Sequence, residues 1–249
     1  MIQAIAAFAD NYIWAITDDQ QRLAAVVDPG DAAPVLDFLQ RHQLELAAIL
    51  ITHHHADHAG GVAALKAASQ GVSAPQGLRV YGPAAEAIPG ITDPLREGDS
   101  VVLGELDCAF QVIEVPGHTR GHIAFFGQHQ HAPVLFCGDT LFAAGCGRLF
   151  EGSAEQMWAS LQKLAALPEQ TAVYCAHEYT LANLRFASVA FPHRREIANR
   201  LTHVKLLRDQ GRITLPSTIA LERSTNPFLL CSSAQAFADL RQQKDSFRG

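Results

Sequence analysis

Two patterns of hydrophobic residues alternate along the first two thirds of the chain. Short apolar runs predict β-strands, and runs whose apolar residues recur every three or four positions predict helices between them. The predicted strands cover residues 2–8, 12–17, 23–28, 46–52, 101–103, 108–115, 122–126, 134–137 and 172–175. The predicted helices of this part cover residues 35–40, 61–69 and 154–166. Strands and helices mixed in this way indicate a layered αβ architecture.

The pattern changes after about His177. From Glu178 onward no strand pattern is visible, and residues 181–190, 194–210 and 233–243 have helical patterns, separated by Pro192 and Pro216. We therefore predict two domains. The first, over residues 1–170, is of αβ type, and the second, over residues 171–249, is smaller and helical.

Composition narrows the class of protein. With 249 residues, 48% hydrophobic and 18% charged, the chain can bury a sizeable core. A net charge of −6 offers no basic surface for nucleic acid. Apolar runs are short and interrupted, so we expect no membrane partner either. Heptads and interface stripes are not visible, and we expect a monomer.

The N-terminus and the cysteines indicate a cytoplasmic protein. The first basic residue is Arg22, so the start resembles neither a secretory signal nor a transit peptide. The five cysteines are scattered, odd in number and without a Cys-x-x-Cys pair. This spacing favours reduced, buried thiols over a disulfide framework.

A run of histidines ends the predicted strand at residues 46–52. Thr-His-His-His-Ala-Asp-His occupies residues 52–58, and the side chains of an extended segment alternate between two faces. His53 and His55 therefore project together, and Asp57 and His58 form a second pair at the turn into the next helix. Imidazole and carboxylate suit Zn²⁺ and neighbouring first-row metals. Two such pairs indicate two metal ions.

A purely structural role of the run is also open. A histidine at a strand end is more often a hydrogen-bonded core residue, and a surface run of histidines can simply scavenge metal. Burying several imidazoles and a carboxylate without a cation, however, costs free energy. The run ends a buried strand and does not lie in a polar tail, so we interpret it as part of a metal site.

Ligand-type residues also follow three later predicted strands. They are His118 after residues 108–115, Asp139 after residues 134–137 and His177 after residues 172–175. Each alone is more often structural, and an aspartate such as Asp139 can simply form a turn. Their repeated placement just beyond an apolar run predicts that these three loops complete one site with the histidine run.

These residues resemble the T-H-x-H-x-D-H motif of the metallo-β-lactamase superfamily. Later segments resemble its hydroxyacylglutathione hydrolase (glyoxalase II) branch: GCGRLFEG from Gly145, AHEYTLANLRFA from Ala176, and LRQQKDSFR near the end. The resemblance covers essentially the whole chain. It implies an α/β fold, a four-layer αββα sandwich that carries the metal site, and a smaller all-helical C-terminal domain that contributes to glutathione binding.

The resemblance also implies two divalent metal ions per chain, Zn in the first place, with Fe or Mn as alternatives. The implied ligands are His53, His55 and His118 for one ion, Asp57, His58 and His177 for the other, and Asp139 bridging both. A hydroxide shared by the two ions is the implied nucleophile. No catalytic side chain is then needed beyond the metal ligands.

The implied substrate is S-D-lactoylglutathione, a glutathione thioester hydrolysed to D-lactate and glutathione in methylglyoxal detoxification. The implied glutathione contacts are Arg148, Tyr179, Arg241 and Lys244. Without the resemblance, the last two would be ordinary charges on a solvated helix. Many relatives have tyrosine where this chain has Phe150. Loss of one phenolic hydrogen bond weakens binding by about 0.5–1.5 kcal/mol.

Other functions remain open at this point. A mononuclear iron oxygenase acting on glutathione persulfide shares a similar histidine motif, and a metal-binding protein without catalysis could retain the fold. A β-lactamase is disfavoured by the missing export signal, and a nuclease by the acidic charge. Flavodiiron proteins usually have a carboxylate where this chain has His55.

Overall fold

The chain forms two compact units, and the structure, a computed structural model, describes residues 1–18, 22–69 and 77–248. Unit 1 comprises Met1–Glu114 and Gly121–Gly138, and unit 2 comprises Val115–Arg120 and Asp139–Gly249. This division follows compactness alone. The boundary that the sequence predicts between residues 170 and 171 stays a prediction.

Unit 1 contains a six-stranded mixed sheet whose strands lie in chain order. The strands are β1 (Ile2–Ala7), β2 (Asn11–Thr17), β3 (Leu23–Val27), β4 (Glu45–Leu50), β5 (Arg79–Pro83) and β6 (Asp93–Leu95). β1 to β3 pair antiparallel, whereas β3 to β6 pair parallel. Parallel strands bring their carboxyl ends to one edge of a sheet. Asp28, directly after β3, and Thr52, just after β4, therefore meet at that edge.

In the described part of this unit, the sheet is accompanied by the helices α1 (Ala32–His42), α2 (Ala56–Ala59) and α3 (Val62–Ala68). Asp31 caps α1, since its carboxylate accepts a hydrogen bond from the Ala33 amide. Val35 of α1 and Leu65 of α3 are fully buried in one core with Ile49 of β4. α2 is a single turn, and it carries the last three residues of the histidine run.

Unit 1 also contains a four-stranded antiparallel meander. Its strands are β7 (Ser100–Leu103), β8 (Cys108–Glu114), β9 (Ile123–His129) and β10 (Ala132–Gly138). Along β8 the first five residues alternate between buried and exposed, as expected for a sheet with one face toward a core. Phe110, Phe125 and Phe136 fill that core and are almost fully buried.

Unit 2 is mainly helical. Its strands are β11 (Leu141–Phe142), β12 (Gly145–Cys146), β13 (Ala172–Cys175) and β14 (Ser217–Thr218). Its helices are α4 (Ala154–Ala165), α5 (Thr180–Ala190), α6 (Arg195–Asp209), α7 (Ile219–Thr225) and α8 (Ala234–Ser246). Leu184 of α5 and Ile197 of α6 pack into one apolar cluster with Ala144, which lies between β11 and β12. Within the described residues, no helix is both long and apolar enough to cross a bilayer.

Every predicted strand and helix is present, with ends shifted by three residues or fewer. Strands β5 and β6 were not predicted, because glycine and proline within them count against a strand. The single-turn helix α2 and the two-residue strands β11 and β12 were not predicted either, because they are too short to show a period, and α7 was also missed. The expectation that strands end by His177 is wrong at β14, a two-residue strand that pairs with β13.

Candidate metal centre

In unit 1 the histidine run forms a close group at the end of β4. The Nε2 atom of His53 lies 3.1 Å from Nδ1 of His55. The ring centroids of His53 and His58 are 4.0 Å apart. His53 and His58 are fully buried, and His55 is partly exposed. Two ring nitrogens at this separation either share a proton or face a common cation.

Asp28 holds this group in place through hydrogen bonds. Its carboxylate accepts hydrogen bonds from the amide and the hydroxyl of Thr52, both at 2.7 Å, and from Nδ1 of His58 at 3.1 Å. The Thr52 hydroxyl in turn lies 3.1 Å from Nδ1 of His53. In both histidines Nδ1 is therefore engaged by an oxygen, which leaves Nε2 as the atom that can bind a metal.

Two further contacts position the loop that carries the run. Asn11 donates a hydrogen bond of 3.1 Å to the carboxylate of Asp57, whose side chain is 42% exposed. The ring of His54 meets that of His55 edge-on, with centroids 5.0 Å apart, and its Nδ1 lies 3.0 Å from the buried carboxylate of Glu86. Glu86 also accepts from the amide of Gly121. The middle histidine therefore anchors the loop and is not one of the predicted ligands.

In unit 2, Asp139 lies between two histidines. One carboxylate oxygen is 3.4 Å from Nε2 of His118, and the other is 3.4 Å from Nε2 of His177. All three side chains are buried. Each separation exceeds the usual length of a charge-assisted hydrogen bond. Ligand atoms around a tetrahedral Zn²⁺, with bonds of about 2.0–2.2 Å, are roughly 3.3–3.6 Å apart.

The backbone of residues 147 and 148 supports this second group. Nδ1 of His118 donates a hydrogen bond of 2.9 Å to the carbonyl oxygen of Arg148, so its Nε2 is again the atom available to a metal. Gly147 lies so close that a Cβ there would be 1.9 Å from the carbonyl oxygen of Asp139. Only glycine fits at this position.

The ring of His177 is held by stacking. Its plane lies 6° from that of Tyr179, with centroids 4.7 Å apart, and Phe142 meets both rings edge-on. The next residue, Glu178, accepts hydrogen bonds from the amide and hydroxyl of Thr214. The segment from His177 to Tyr179 is therefore fixed from two sides.

The donor set of each unit fits a divalent metal ion. In His53, His58 and His118 the Nδ1 atom has an oxygen partner, and Nε2 faces another ligand-type atom. Such oxygen partners fix the tautomer and orientation of metal-binding histidines. Imidazoles and carboxylates buried at these spacings need a cation to offset the loss of hydration.

The predicted glutathione contacts lie in unit 2. The Arg148 side chain is 67% exposed, with its Nε 3.9 Å from Asp245. Arg241 is buried and donates to the carbonyl oxygen of Cys146 at 3.1 Å and to Asp245 at 2.7 Å. Nζ of Lys244 lies over the rings of Phe186 and Phe247. Burial, assisted by the neighbouring Arg241 and Arg148, lowers the pKa of Lys244 below its usual 10.5.

Comparison with known proteins identifies the family. The profile of the metallo-beta-lactamase superfamily matches residues 10–177, and that of the hydroxyacylglutathione hydrolase C-terminus matches residues 178–247. A protein of Pseudomonas entomophila (strain L48) named hydroxyacylglutathione hydrolase is 54% identical over 250 residues, covering 100% of this chain and 91% of the relative. The chain belongs to the hydroxyacylglutathione hydrolase family. The predicted family and its metallo-β-lactamase fold are confirmed.

Solved structures of other proteins also share the fold of this chain. ETHE1 from Myxococcus xanthus is 26% identical, with a TM-score of 0.72 over 100% of this chain and 92% of that one. The protein TTHA1623, solved in a di-iron-bound form, is 27% identical, with a TM-score of 0.60 over 92% of this chain and 100% of that one. The C-terminal profile match supports membership of the hydroxyacylglutathione hydrolase branch within this wider fold group.

Sequence reasoning missed the residues that support the ligands. Asp28 was included in the predicted strand at residues 23–28, whereas in the structure it directly follows β3, the same kind of position that selected Asp139. Gly147 lies within the GCGRLFEG segment but was given no role, and Asn11 was not selected, because the contacts of both depend on chain segments far away in sequence. The carbonyl of Arg148 was also missed, since main-chain atoms have no sequence signature.

Proposed function

We propose that this chain is a metal-dependent hydrolase of glutathione thioesters. Its proposed substrate is S-D-lactoylglutathione, cleaved to D-lactate and glutathione as a step of methylglyoxal detoxification. The observation that carries the proposal is the full-length match, at 54% identity, to a protein named hydroxyacylglutathione hydrolase. The ligand-type residues that the motif requires lie in the two groups described above, one formed by the histidine run and one around Asp139. All are buried except His55 and Asp57, which are partly exposed.

The proposed centre holds two divalent ions. We assign His53, His55 and His118 to one ion, Asp57, His58 and His177 to the other, and Asp139 to both. The carboxylate of Asp139 suits a bridging role because its two oxygens each face a different imidazole. When bound, the ions would supply a water of lowered pKa and a Lewis acid for the thioester carbonyl. Nitrogen and oxygen donors accept Zn, Fe or Mn, and Zn is our first choice.

The chain itself orients and shields the reactants. Asp57 is the most exposed of the carboxylates around the site, and the hydrogen bond from Asn11 holds it in place. We assign its carboxylate to accept a proton from the attacking water. Thiols have pKa values near 8.5, so the glutathione thiolate leaves without a protein acid. For this reason the reaction does not need a Ser-His-Asp triad.

Glutathione would bind along the cationic side chains of unit 2. Arg148 and Lys244 are accessible enough to pair with its carboxylates, and Tyr179 offers a phenolic hydroxyl. Arg241 is buried and already bonded, so we assign it to the wall of the pocket. Phe150 is 62% exposed and its ring lies edge-on to His118. It can contact the substrate only through apolar surface, unlike the tyrosine of many relatives.

We place the protein in the cytoplasm as a monomer. Its five cysteines are reduced thiols, and four of them are buried. Burial raises the pKa of the Cys175 thiol to about 12 and that of Cys146 to about 11, so neither ionises near neutral pH. Unreactive reduced thiols suit a reducing compartment.

The test combines metal analysis with turnover. Purified protein should contain about two metal ions per chain and release thiol from S-D-lactoylglutathione, and a chelator should abolish release. His55→Ala and Asp139→Ala should lower both metal content and turnover, by at least about 100-fold for turnover, because each removes a ligand. His203→Ala, on the exposed face of α6, is the matched control.

Three outcomes would contradict the proposal. One metal ion per chain with oxygen consumption on glutathione persulfide would favour the iron oxygenase. Stable metal binding without thiol release would favour a binding protein without catalysis. Unchanged turnover in metal-free His55→Ala would exclude the metal-dependent reaction itself.

A further inference from the structure

Side chains of three C-terminal helices hold the backbone of the short hairpin formed by β11 and β12. Asn226, at the end of α7, donates hydrogen bonds to the carbonyl oxygens of Phe142 (3.1 Å) and Gly145 (2.9 Å). Asn183 of α5 donates to Ala143 at 3.1 Å. Arg241 of α8 donates to Cys146 at 3.1 Å. Each carbonyl from residue 142 to 146 except that of Ala144 therefore accepts a bond from a C-terminal side chain.

The tip of this hairpin is held by a buried charge. The amide of Ala144 donates a 2.7 Å hydrogen bond to the carboxylate of Glu222, which is fully buried in α7. Ala144 has φ of 55°, a left-handed conformation that a residue with a Cβ rarely adopts. Such a conformation persists only where the surroundings impose it. The bond to Glu222 and the side-chain bonds to the neighbouring carbonyls hold it here.

Glu222 is stable in the interior because it is paired. Arg200 of α6, only 7% exposed, donates to it at 2.6 Å and also bonds the hydroxyls of Ser217 and Thr225. The second oxygen of Glu222 accepts from Asn226 at 3.0 Å. An ion pair taken out of water must be fully hydrogen-bonded to be tolerated. Both charged groups of this network are hydrogen-bonded. Glu222 and Asn226 extend the network to the backbone of the hairpin.

The hairpin connects two parts of the candidate metal centre. It begins two residues after Asp139 and ends two residues before Arg148, whose carbonyl oxygen accepts from Nδ1 of His118. The amide of Gly147 bonds the carbonyl of Thr140 at 3.3 Å and closes the base of the hairpin. A shift of the hairpin would therefore move the Asp139 carboxylate and the support of His118 together.

We propose that Glu222, Asn226 and Asn183 are positioning residues of the metal centre, so that the C-terminal helices build the centre as well as the substrate pocket. The proposal rests on the proposed function in one respect, namely that Asp139 and His118 are metal ligands. It assigns the buried Arg200–Glu222 pair a role in metal retention, exercised through the backbone of residues 141–147.

The test measures metal release from the purified full-length holoprotein into a chelator at a temperature where all variants are folded. Asn226→Ala removes two bonds to the hairpin and should release metal about tenfold faster or more, as other supporting residues do. Asn183→Ala removes one bond and should show a smaller increase. Ile219→Val, which trims a fully buried side chain of α7, is the control and should release metal at the wild-type rate.

Hydrogen exchange gives a second readout that stability alone would not change. The Ala144 amide should lose protection in Glu222→Gln and Asn226→Ala while the amides of α6 keep theirs. Equal metal release by wild type, Asn183→Ala and a folded Asn226→Ala would overturn the proposal. So would a rise in Ile219→Val as large as in the asparagine variants. If Asn226→Ala does not fold, Asn183→Ala decides.

Failure of this inference is distinguishable from failure of the proposed function. If Asp139→Ala retains the full metal content, Asp139 is not a ligand and the proposed centre is wrong. If Asp139→Ala loses metal while the asparagine variants retain it as tightly as wild type, the centre stands and only the positioning role is wrong.

Discussion

At the scale of single residues, the candidate centre depends on groups that only support ligands. Asp28 bonds His58 directly and His53 through Thr52, and a main-chain carbonyl bonds His118. Each of these imidazoles donates its Nδ1–H to an oxygen, so that Nε2 is the atom available to a metal. The tautomer of each histidine is thus determined by the group that accepts the hydrogen bond from its Nδ1.

Asp28→Asn tests this support. The amide cannot accept from every donor that now faces Asp28, and its NH₂ would favour a His58 tautomer whose Nε2 carries the proton. Metal affinity should fall by about 10–100-fold, measured by competition with a chromogenic chelator. Asp31→Asn in the same turn is the control, because asparagine caps α1 as well as aspartate does. Equal affinity in the two variants would contradict the role of Asp28.

Lys244 predicts a pH dependence. Because the pKa is lowered, the midpoint at which the ammonium loses its proton lies at a pH below 10.5, and the proposed attraction for a glutathione carboxylate would be lost with that proton. KM for the thioester should rise as pH increases through the lowered pKa, after correction for spontaneous hydrolysis. Lys244→Arg should shift that rise to higher pH, since arginine stays charged. A KM profile identical in the two proteins would exclude Lys244 from the pocket.

The lowered pKa of Lys244 also affects stability, but with the opposite dependence on pH. Because the folded chain holds this proton less tightly than the unfolded chain, the unfolded state binds more protons between the lowered pKa and 10.5. The contribution of Lys244 to the free energy of unfolding therefore increases with pH across this window, whereas the proposed contribution to substrate binding should decrease.

At the scale of elements, strand ends deliver the ligands and helix caps fix the loops between them. Strands β4, β10 and β13 are each followed within three residues by a predicted ligand. α4 follows the loop after residue 148, and it begins with a capping box in which Ser153 and Gln156 satisfy each other's backbone amides. Ser160 of α4 also bonds the carbonyl of Pro116, two residues before His118.

Ser153→Ala should therefore destabilise the protein without removing metal. Loss of an N-cap costs about 1 kcal/mol, which corresponds to a Tm lower by roughly 2–4 °C in a chain of this size. Metal content at 25 °C should stay at the wild-type value, because the cap touches none of the ligands. Ser153→Asp is the matched control and should restore the Tm. A metal loss comparable to that of Asp28→Asn would show that α4 is coupled more closely to the centre.

At the scale of the whole molecule, we expect the proposed metal ions to bind only the folded chain. The predicted ligands come from segments between His53 and His177, and an unfolded chain does not bring these segments together. Binding to the folded state stabilises it by about 2.7 kcal/mol when free metal is at 100 times Kd.

Removal of metal should consequently lower the Tm. For a chain of this size we expect a decrease of about 5–10 °C, recovered when Zn²⁺ is restored. Differential scanning calorimetry of metal-loaded, stripped and reloaded protein measures the effect. Asp139→Ala should show a much smaller difference between its loaded and stripped forms. A Tm that is unaffected by stripping would contradict a metal centre built from distant parts of the chain.

Much of the molecule follows from local patterns in the chain. Period and turn residues located β4, β13 and α4 within three residues, because burial of one face imposes the same spacing on any sequence. The histidine run was readable because imidazoles and a carboxylate concentrated at the end of a buried strand are costly to bury without a cation. The family resemblance then assigned each residue a role.

Only the tertiary structure decided how those residues are held. Asp28 and His58 are 30 positions apart, and Ala144 and Glu222 are 78 apart, so neither contact has a local signature. The burial of Arg241, which the sequence suggested as a substrate contact, depends on α8 packing in unit 2. Short-range periodicity reports which face of an element is buried. Which distant group meets that face is determined by the packing of the whole chain.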